Sequence, residues 1–232
     1  MQADNANGPV LTAVELSRVF GSGDTAVTAL SSISLKVQQG DFLAVTGRSG
    51  SGKTTLLNLL SGLDSPTTGT VHFHGDDLAN LRESDLVEMR RHKIGFVFQS
   101  FGLMPLLSAQ ENVELPLHIG GASWRERRQK ATEALRAVGL GTRARHRPFE
   151  LSGGEQQRVS IARALVTEPE VVFADEPTGE LDTATARSIA ETLGEVAASR
   201  RATVIVATHD LDLAATAQRR LDLVDGMIVC QG

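Results

Sequence analysis

The sequence predicts an α/β protein: a parallel sheet covered on both faces by helices, interrupted by a mostly helical insertion. Three observations lead there. From Glu155 onward, helical patterns alternate with short apolar runs, Val171–Ala174 and Thr203–Ala207, the signature of buried parallel strands. Between about Glu83 and Glu150 the pattern is mainly helical and breaks that alternation. Near the start, an apolar run, Phe42–Thr46, passes through a glycine-rich turn into a helical pattern, Thr54–Leu60.

Taken in order, Val10–Val19 and Ile33–Val37 alternate as strands do, and Phe42–Thr46 is a short buried-type strand. Val71–His74 is a further strand, closed by Gly75-Asp76-Asp77. Glu83–Arg91 is a helix with Leu86 and Met89 on one side, and Ile94–Phe98 is strand-like. The stretch from Gln99 to Leu117 is apolar in an irregular context. Trp124, Ala131, Leu135 and Val138 recur at helical spacing, which makes Ser123–Val138 an amphipathic helix stopped by Gly139 and Gly141. Glu155–Val166 and Thr183–Ala198 are helices, Leu211–Ala217 is a short one, and Leu221–Val229 is a hairpin turning at Asp225-Gly226. This divides the chain into a tail expected to be disordered (residues 1–9) and one domain (10–229). Its core is 10–82 with 155–229, and its helical subdomain is about 83–154.

The turn Gly47-Arg-Ser-Gly-Ser-Gly-Lys-Thr54 fits the phosphate-loop pattern, in the strand–loop–helix setting that distinguishes a real one. Gly50 and Gly52 permit backbone geometry that a Cβ would block. The loop's N–H groups, from Gly47, Arg48, Ser49, Gly50, Ser51, Gly52, Lys53, Thr54 and Thr55, face an anion at a helix N-terminus. Lys53 supplies a mobile charge for the outer phosphates, and Thr54 offers a hydroxyl to Mg²⁺. The chain is therefore expected to bind a nucleoside triphosphate. Asp175 and Glu176 end an apolar strand. An acid there holds Mg²⁺ in phosphate-loop proteins, and Asp175 suits that place. Glu176 faces another way and is placed to polarise an attacking water.

Leu151-Ser-Gly-Gly-Glu-Gln-Gln-Arg158 contains a capping box, Ser152 with Glu155, followed by adjacent glycines that a helix start does not need. A helix end with bare amides and a serine hydroxyl is a second anion site, which suggests two subunits sharing one nucleotide. Here the chain resembles the ATP-binding-cassette ATPases, whose family motif is Leu-Ser-Gly-Gly-Glu/Gln. The resemblance runs from about Leu11 to Met227. Gln99 matches the family's Q-loop, Asp175 and Glu176 its Mg²⁺ ligand and catalytic base, Glu180-Leu-Asp182 its D-loop and His209 its switch histidine. Phe20 matches the adenine-stacking aromatic, usually Tyr. Arg48 stands where Pro is common, and Glu180 where Asn or Ala is usual.

The resemblance implies a mixed-sheet core with an N-terminal antiparallel β subdomain and an inserted helical one. It implies a head-to-tail homodimer around ATP and Mg²⁺. Ser152, Gly153, Gly154 and Gln157 of one subunit would close over the γ-phosphate held by the other. Thr54, Gln99 and Asp175 would serve the metal, Lys53, Gln99 and His209 would stabilise the transferring phosphoryl group, and Glu176 would orient the water. Within the family, Arg90–Gln99 and the stretch after it look like the lipoprotein-releasing and macrolide-exporting (LolD and MacB) subfamily, and also like the related cell-division cassette (FtsE).

Composition bounds the partners. A net charge of −5 and a pI near 5.7 argue against a nucleic-acid-coating protein. The basic clusters at Arg125–Lys130 and Arg143–Arg147 read as solvated faces. One cysteine, Cys230, precludes an internal disulfide framework and fits the cytoplasm. No signal peptide is apparent and no apolar run reaches the ~18 residues of a membrane span. As the chain shows no span of its own, the resemblance implies a separate integral membrane permease as partner, reached from the cytoplasmic face, with Phe101–Leu107 as the candidate docking groove. A non-transporting signalling complex is the alternative. A DNA-repair or translation cassette would need modules that this chain lacks, and a GTPase would need a guanine-reading motif. No histidine spacing suggests a further metal site, and no residue of this sequence identifies a cargo.

Overall fold

A computed structural model describes residues 8–199 and 202–231; the segment expected to be a disordered tail lies outside them except for its last two residues. The chain begins with β1 (Leu11–Phe20), β2 (Val27–Val37) and β3 (Phe42–Thr46), then α1 (Lys53–Leu60), β4 (Thr68–Phe73) and the short β5 (Asp76–Asp77). Next come α2 (Glu83–Lys93), β6 (Ile94–Val97), α3 (Ala109–Ile119), α4 (Trp124–Ala137) and α5 (Gly153–Leu165). β7 (Val171–Asp175), α6 (Thr183–Ala198), β8 (Thr203–Thr208), α7 (Leu211–Thr216), β9 (Arg219–Val224) and β10 (Met227–Gln231) complete it.

Two sheets form. A four-stranded antiparallel sheet has the order β2-β1-β4-β5, and a six-stranded mixed sheet the order β10-β9-β3-β8-β7-β6. In the latter, every pair from β9 to β6 is parallel and only β10 runs antiparallel. Its central strands are buried along their whole length, so they read as unbroken apolar runs rather than alternating ones. Alternation instead sorts them between two cores. Phe42, Ala44, Val172, Ala174, Val204 and Val206 pack with residues of α3, α5, α6 and α7. Leu43, Val45, Val171, Phe173, Ile205 and Ala207 pack with α1 and the antiparallel sheet.

The structure revises three expectations. Residues 109–119 form a regular helix rather than irregular chain. It starts at a capping box in which Glu111 N–H donates to Ser108 Oγ and Ser108 N–H to Glu111 Oε2, and it carries Pro116 inside. β6 lies in the core sheet, in register with β7 from Ile94↔Val171 to Val97↔Ala174, inside the stretch from about residue 83 that was expected to be mainly helical. Trp124 has the spacing of a core residue but is 59% exposed, whereas Ala131 and Leu135 are buried.

Helix α5 lies against α6 through Gly154. A Cβ there would fall far inside contact distance of Thr185 Cγ2, and the Thr185 rotamer is fixed by its hydroxyl donating to Asp182 Oδ2 at 2.6 Å. Gly154→Ala is therefore expected to destabilise the fold by about 1–3 kcal/mol through overpacking. Urea denaturation should show this as a lower midpoint, with most of it restored by adding Thr185→Ser, which deletes the opposing methyl.

Candidate active site

Four neighbouring parallel strands, β3, β8, β7 and β6, end at one edge of the core sheet, and each delivers a polar residue there. β3 runs into the glycine loop. Gly52 sits at φ 101°, and a Cβ on it would strike Ala29 O and Leu30 Cδ2, so only glycine fits where the loop meets β2. Gly226 N–H, in the turn between β9 and β10, donates to Ser51 O at 3.1 Å, and Ser31 N–H donates to Gly226 O at 2.8 Å. The loop is thus seated between the antiparallel sheet and the last hairpin. Its mouth is a cleft of about 650 Å³, lined among others by Arg48, Ser49, Gly50, Lys53, Thr54, Thr55, Gln99, Glu176 and His209.

Lys53 is only 7% exposed. Its ammonium donates to Gly47 O at 2.9 Å and Arg48 O at 3.3 Å and pairs with Glu176 Oε1 at 3.2 Å. Glu176 follows β7 with φ 46°, a left-handed turn that swings its carboxylate across the cleft. The other carboxylate oxygen, Oε2, lies 2.8 Å from His209 Nδ1 and accepts the His209 backbone N–H at 3.2 Å. One carboxylate therefore bridges the lysine of the loop and the histidine after β8. Gln99, just after β6, lines the same cleft and approaches Gly179.

Thr54 Oγ1 donates to Asp175 Oδ2 at 2.8 Å, while Asp175 Oδ1 is buried without a partner. Burial pushes the Asp175 carboxyl above the ordinary carboxylate value, the Thr54 hydrogen bond opposes this, the Glu176 charge adds to it and Lys53 opposes it. A hydroxyl beside a carboxylate with an uncommitted buried oxygen is a hard-oxygen donor set that suits Mg²⁺.

The other predicted residues divide. Phe20 ends β1, paired with Val27, which lines the cleft. Its ring is 43% exposed, at the rim rather than in the lining, and Arg18 lies over it at 4.5 Å. Ser152 is exposed at the N-terminus of α5, in the capping box with Glu155, and is not part of the cleft lining. Gly153 is half-buried against Leu181 and Phe101, and Gly154 is buried on Thr185. Gln157 departs from expectation. It is fully buried, and its Nε2 donates to Pro177 O at 2.7 Å and Phe98 O at 3.4 Å. The rotation of α5 about its axis turns Gln157 inward, so it braces the chain after β7 and β6 rather than facing a ligand. Of Glu180-Leu-Asp182, Glu180 is exposed and Asp182 caps α6 through the N–H groups of Ala184 and Thr185.

Phe101–Leu107, expected as the docking groove, is exposed or half-buried along its length. An apolar groove of about 460 Å³ does lie beside it, lined by Val87, Phe96, Phe98, Leu115, Ile119 and Arg163 among others, and only Gly102 of that segment borders it. Sequence reasoning missed Arg163. It reaches from α5 to Phe101 O at 2.9 Å and also to Gly102 O, holding the turn at the groove's edge.

A strand feeding a glycine loop, with acids at the end of a strand two places away, defines a phosphate-loop nucleoside triphosphatase. The ABC transporter family model matches residues 30–179, and the chain belongs to that family. It is 46% identical over 220 residues to the lipoprotein-releasing system ATP-binding protein LolD of Geobacter metallireducens, covering 95% of this chain and 98% of that one. It is also 46% identical over 221 residues to the macrolide export ATP-binding/permease protein MacB of Hyphomonas neptunium, but spans only about a third (34%) of that relative's length. Among solved structures, the dimeric ATP-binding cassette MJ0796 bound to ADP and Pi matches at TM-score 0.88 and 40% identity, over 96% of this chain and 97% of that one. CbiO1 of Clostridium perfringens matches at TM-score 0.86 and 28% identity, over 97% and 89%. The chain is an ATP-hydrolysing cassette with the mixed sheet and antiparallel β subdomain of that fold.

The inward position of Gln157 is testable. Gln157→Leu leaves the carbonyls of Pro177 and Phe98 without a donor and is expected to cost about 1–3 kcal/mol. Thermal denaturation should register the loss. An unchanged melting temperature with hydrolysis abolished would instead mean that the side chain faces nucleotide.

Proposed function

We propose that the chain energises a separate integral membrane permease of the export or release type, at the cytoplasmic face of the membrane, through ATP-driven closure of a homodimer. The observation that carries this is the division of the site. The Lys53–Glu176–His209 bridge spans the cleft, while Ser152 stands exposed elsewhere on the surface. A single copy therefore holds half of the groups that the chemistry needs, and a second copy brings Ser152 and the amides of Gly153 and Gly154 to the open phosphate face.

In this reading the phosphate loop binds the triphosphate through its backbone N–H groups, and Lys53 exchanges Glu176 for the β- and γ-phosphates. That exchange frees the Glu176 carboxylate to orient water and accept its proton. His209, already bonded to Glu176, turns with Gln99 toward the γ-phosphate, where positive charge and donors stabilise the transferring phosphoryl group. Thr54, Asp175 and Gln99 would hold Mg²⁺, which supplies charge neutralisation between the phosphates. Phe20 offers an apolar ring to adenine at the cleft's rim. Hydrolysis removes the anion shared by two copies, and the dimer opens. The groove between α2, β6, α3 and α5 is the permease site. It is apolar, rimmed by Arg90, Arg91 and Arg163, and joined to Gln99 by the short segment that Arg163 holds. A signalling complex that moves no cargo would use the same cycle; transport into vesicles reconstituted with the permease separates the two.

Glu176→Gln is expected to bind ATP, lose turnover by at least about 10²-fold and accumulate as an ATP-bound dimer in size-exclusion chromatography. Rapid hydrolysis by this variant would remove Glu176 as the base. Ser152→Arg, at a surface away from the cleft, should retain ATP binding by the single copy and abolish both dimerisation and turnover. Parallel loss of ATP binding would sink the divided-site reading.

A further inference from the structure

Residues 123–147 hold eight arginines and lysines against two glutamates, in a chain whose net charge is −5. Part of this charge is committed: Lys130 pairs with Glu126 at 3.5 Å, Arg143 with Glu155 at 3.3 Å, and Arg127 meets His118. Among the described residues, no carboxylate lies within 4.0 Å of the guanidinium groups of Arg125, Arg128 or Arg136. These three share an exposed face of α4 with Trp124, Thr132 and Glu133, as their spacing along a helix dictates. Arg128 lies over the Trp124 ring at 5.5 Å. Trp124 is the only tryptophan in the chain and stays 59% exposed, although the same helix has a buried side where Ala131 and Leu135 sit.

We propose that this face of α4, Trp124 with Arg125, Arg128 and Arg136, rests directly on an anionic lipid surface. Three features select that occupant. The face is the side of a helix whose apolar stripe is already packed in the core, so it adsorbs to a surface and does not insert as an amphipathic helix would. It combines unpaired guanidinium groups with an exposed indole, the pair of side chains that favours the bilayer interface. It also follows the groove closely in the chain: Leu115 and Ile119 of α3 line that groove, and α4 starts just after the intervening residues 120–123. In location the inference rests on the groove being the permease site. In substance it adds a contact that needs no permease: the cassette would read the charge of the bilayer itself and be oriented by it.

The single tryptophan makes the test direct. The full chain is titrated at low ionic strength with vesicles of equal parts phosphatidylglycerol and phosphatidylcholine, and separately with pure phosphatidylcholine. Trp124 emission should shift to the blue with the anionic vesicles only, the protein should sediment with them, and added salt should release it. Replacing Arg125, Arg128 and Arg136 together by Gln should lower the partition coefficient on the order of a hundredfold, about fivefold for each arginine, with ATP turnover of the soluble protein unchanged. No shift on anionic vesicles, an equal shift on phosphatidylcholine, or partition unaffected by the triple substitution would overturn the proposal. So would tight binding of an oligonucleotide at the same salt without vesicle binding, which would reassign the face to nucleic acid. Normal dimerisation and turnover alongside absent vesicle binding would sink only this surface, whereas vesicle binding without ATP-dependent dimerisation would sink only the divided-site reading.

Discussion

The site exists because β3, β8, β7 and β6 are hydrogen-bonded in parallel and in a nearly flush register. Thr46 pairs with Thr208, Asp175 with Ala207 and Val97 with Ala174, so each of the four strands ends within about a residue of its neighbour. Whatever follows each strand must emerge on the same edge. The loop with Lys53, then His209, Glu176 and Gln99 converge there from positions far apart in the chain, and the crevice at the strand ends becomes the cleft. A one-residue slip in any pair would reverse which side chains face each core. The burial of these strands on both faces therefore fixes the site as much as the polar residues do.

Much of this was legible in the sequence, for a physical reason. The phosphate loop, the strand-end acids and the Ser152–Glu155 box depend on local geometry, which residue spacing encodes. What escaped depended on distant neighbours. The direction of Gln157 is set by how α5 is rotated against α6, through the missing side chain of Gly154. The membership of β6 in the core sheet is decided by pairing with β7, more than seventy residues later in the chain. Trp124 has the right spacing for a core position, but periodicity cannot tell whether anything packs against it. The helix at 109–119 was a different kind of miss. Ser108 and Glu111 form a capping box that could have been read, but Pro116 and the glutamates among its apolar residues hid the periodicity that follows.

Helix α5 connects the two surfaces that the proposed cycle needs. Its first residue lies beside exposed Ser152, and its last turns carry Arg163, which holds Phe101 and Gly102 at the edge of the apolar groove. Gln157, between them, ties the same helix to the carbonyls that follow β6 and β7. Movement at the groove and movement at the Ser152 end of the helix are therefore motions of one element.

The hydrogen bond from Gly226 to Ser51 joins the glycine loop to the hairpin between β9 and β10. The loop is translated early, and the turn that seats it emerges roughly 175 residues later, a separation that makes this closure entropically expensive and slow to form. A nascent chain carries every residue of the phosphate loop long before it carries the support for that loop.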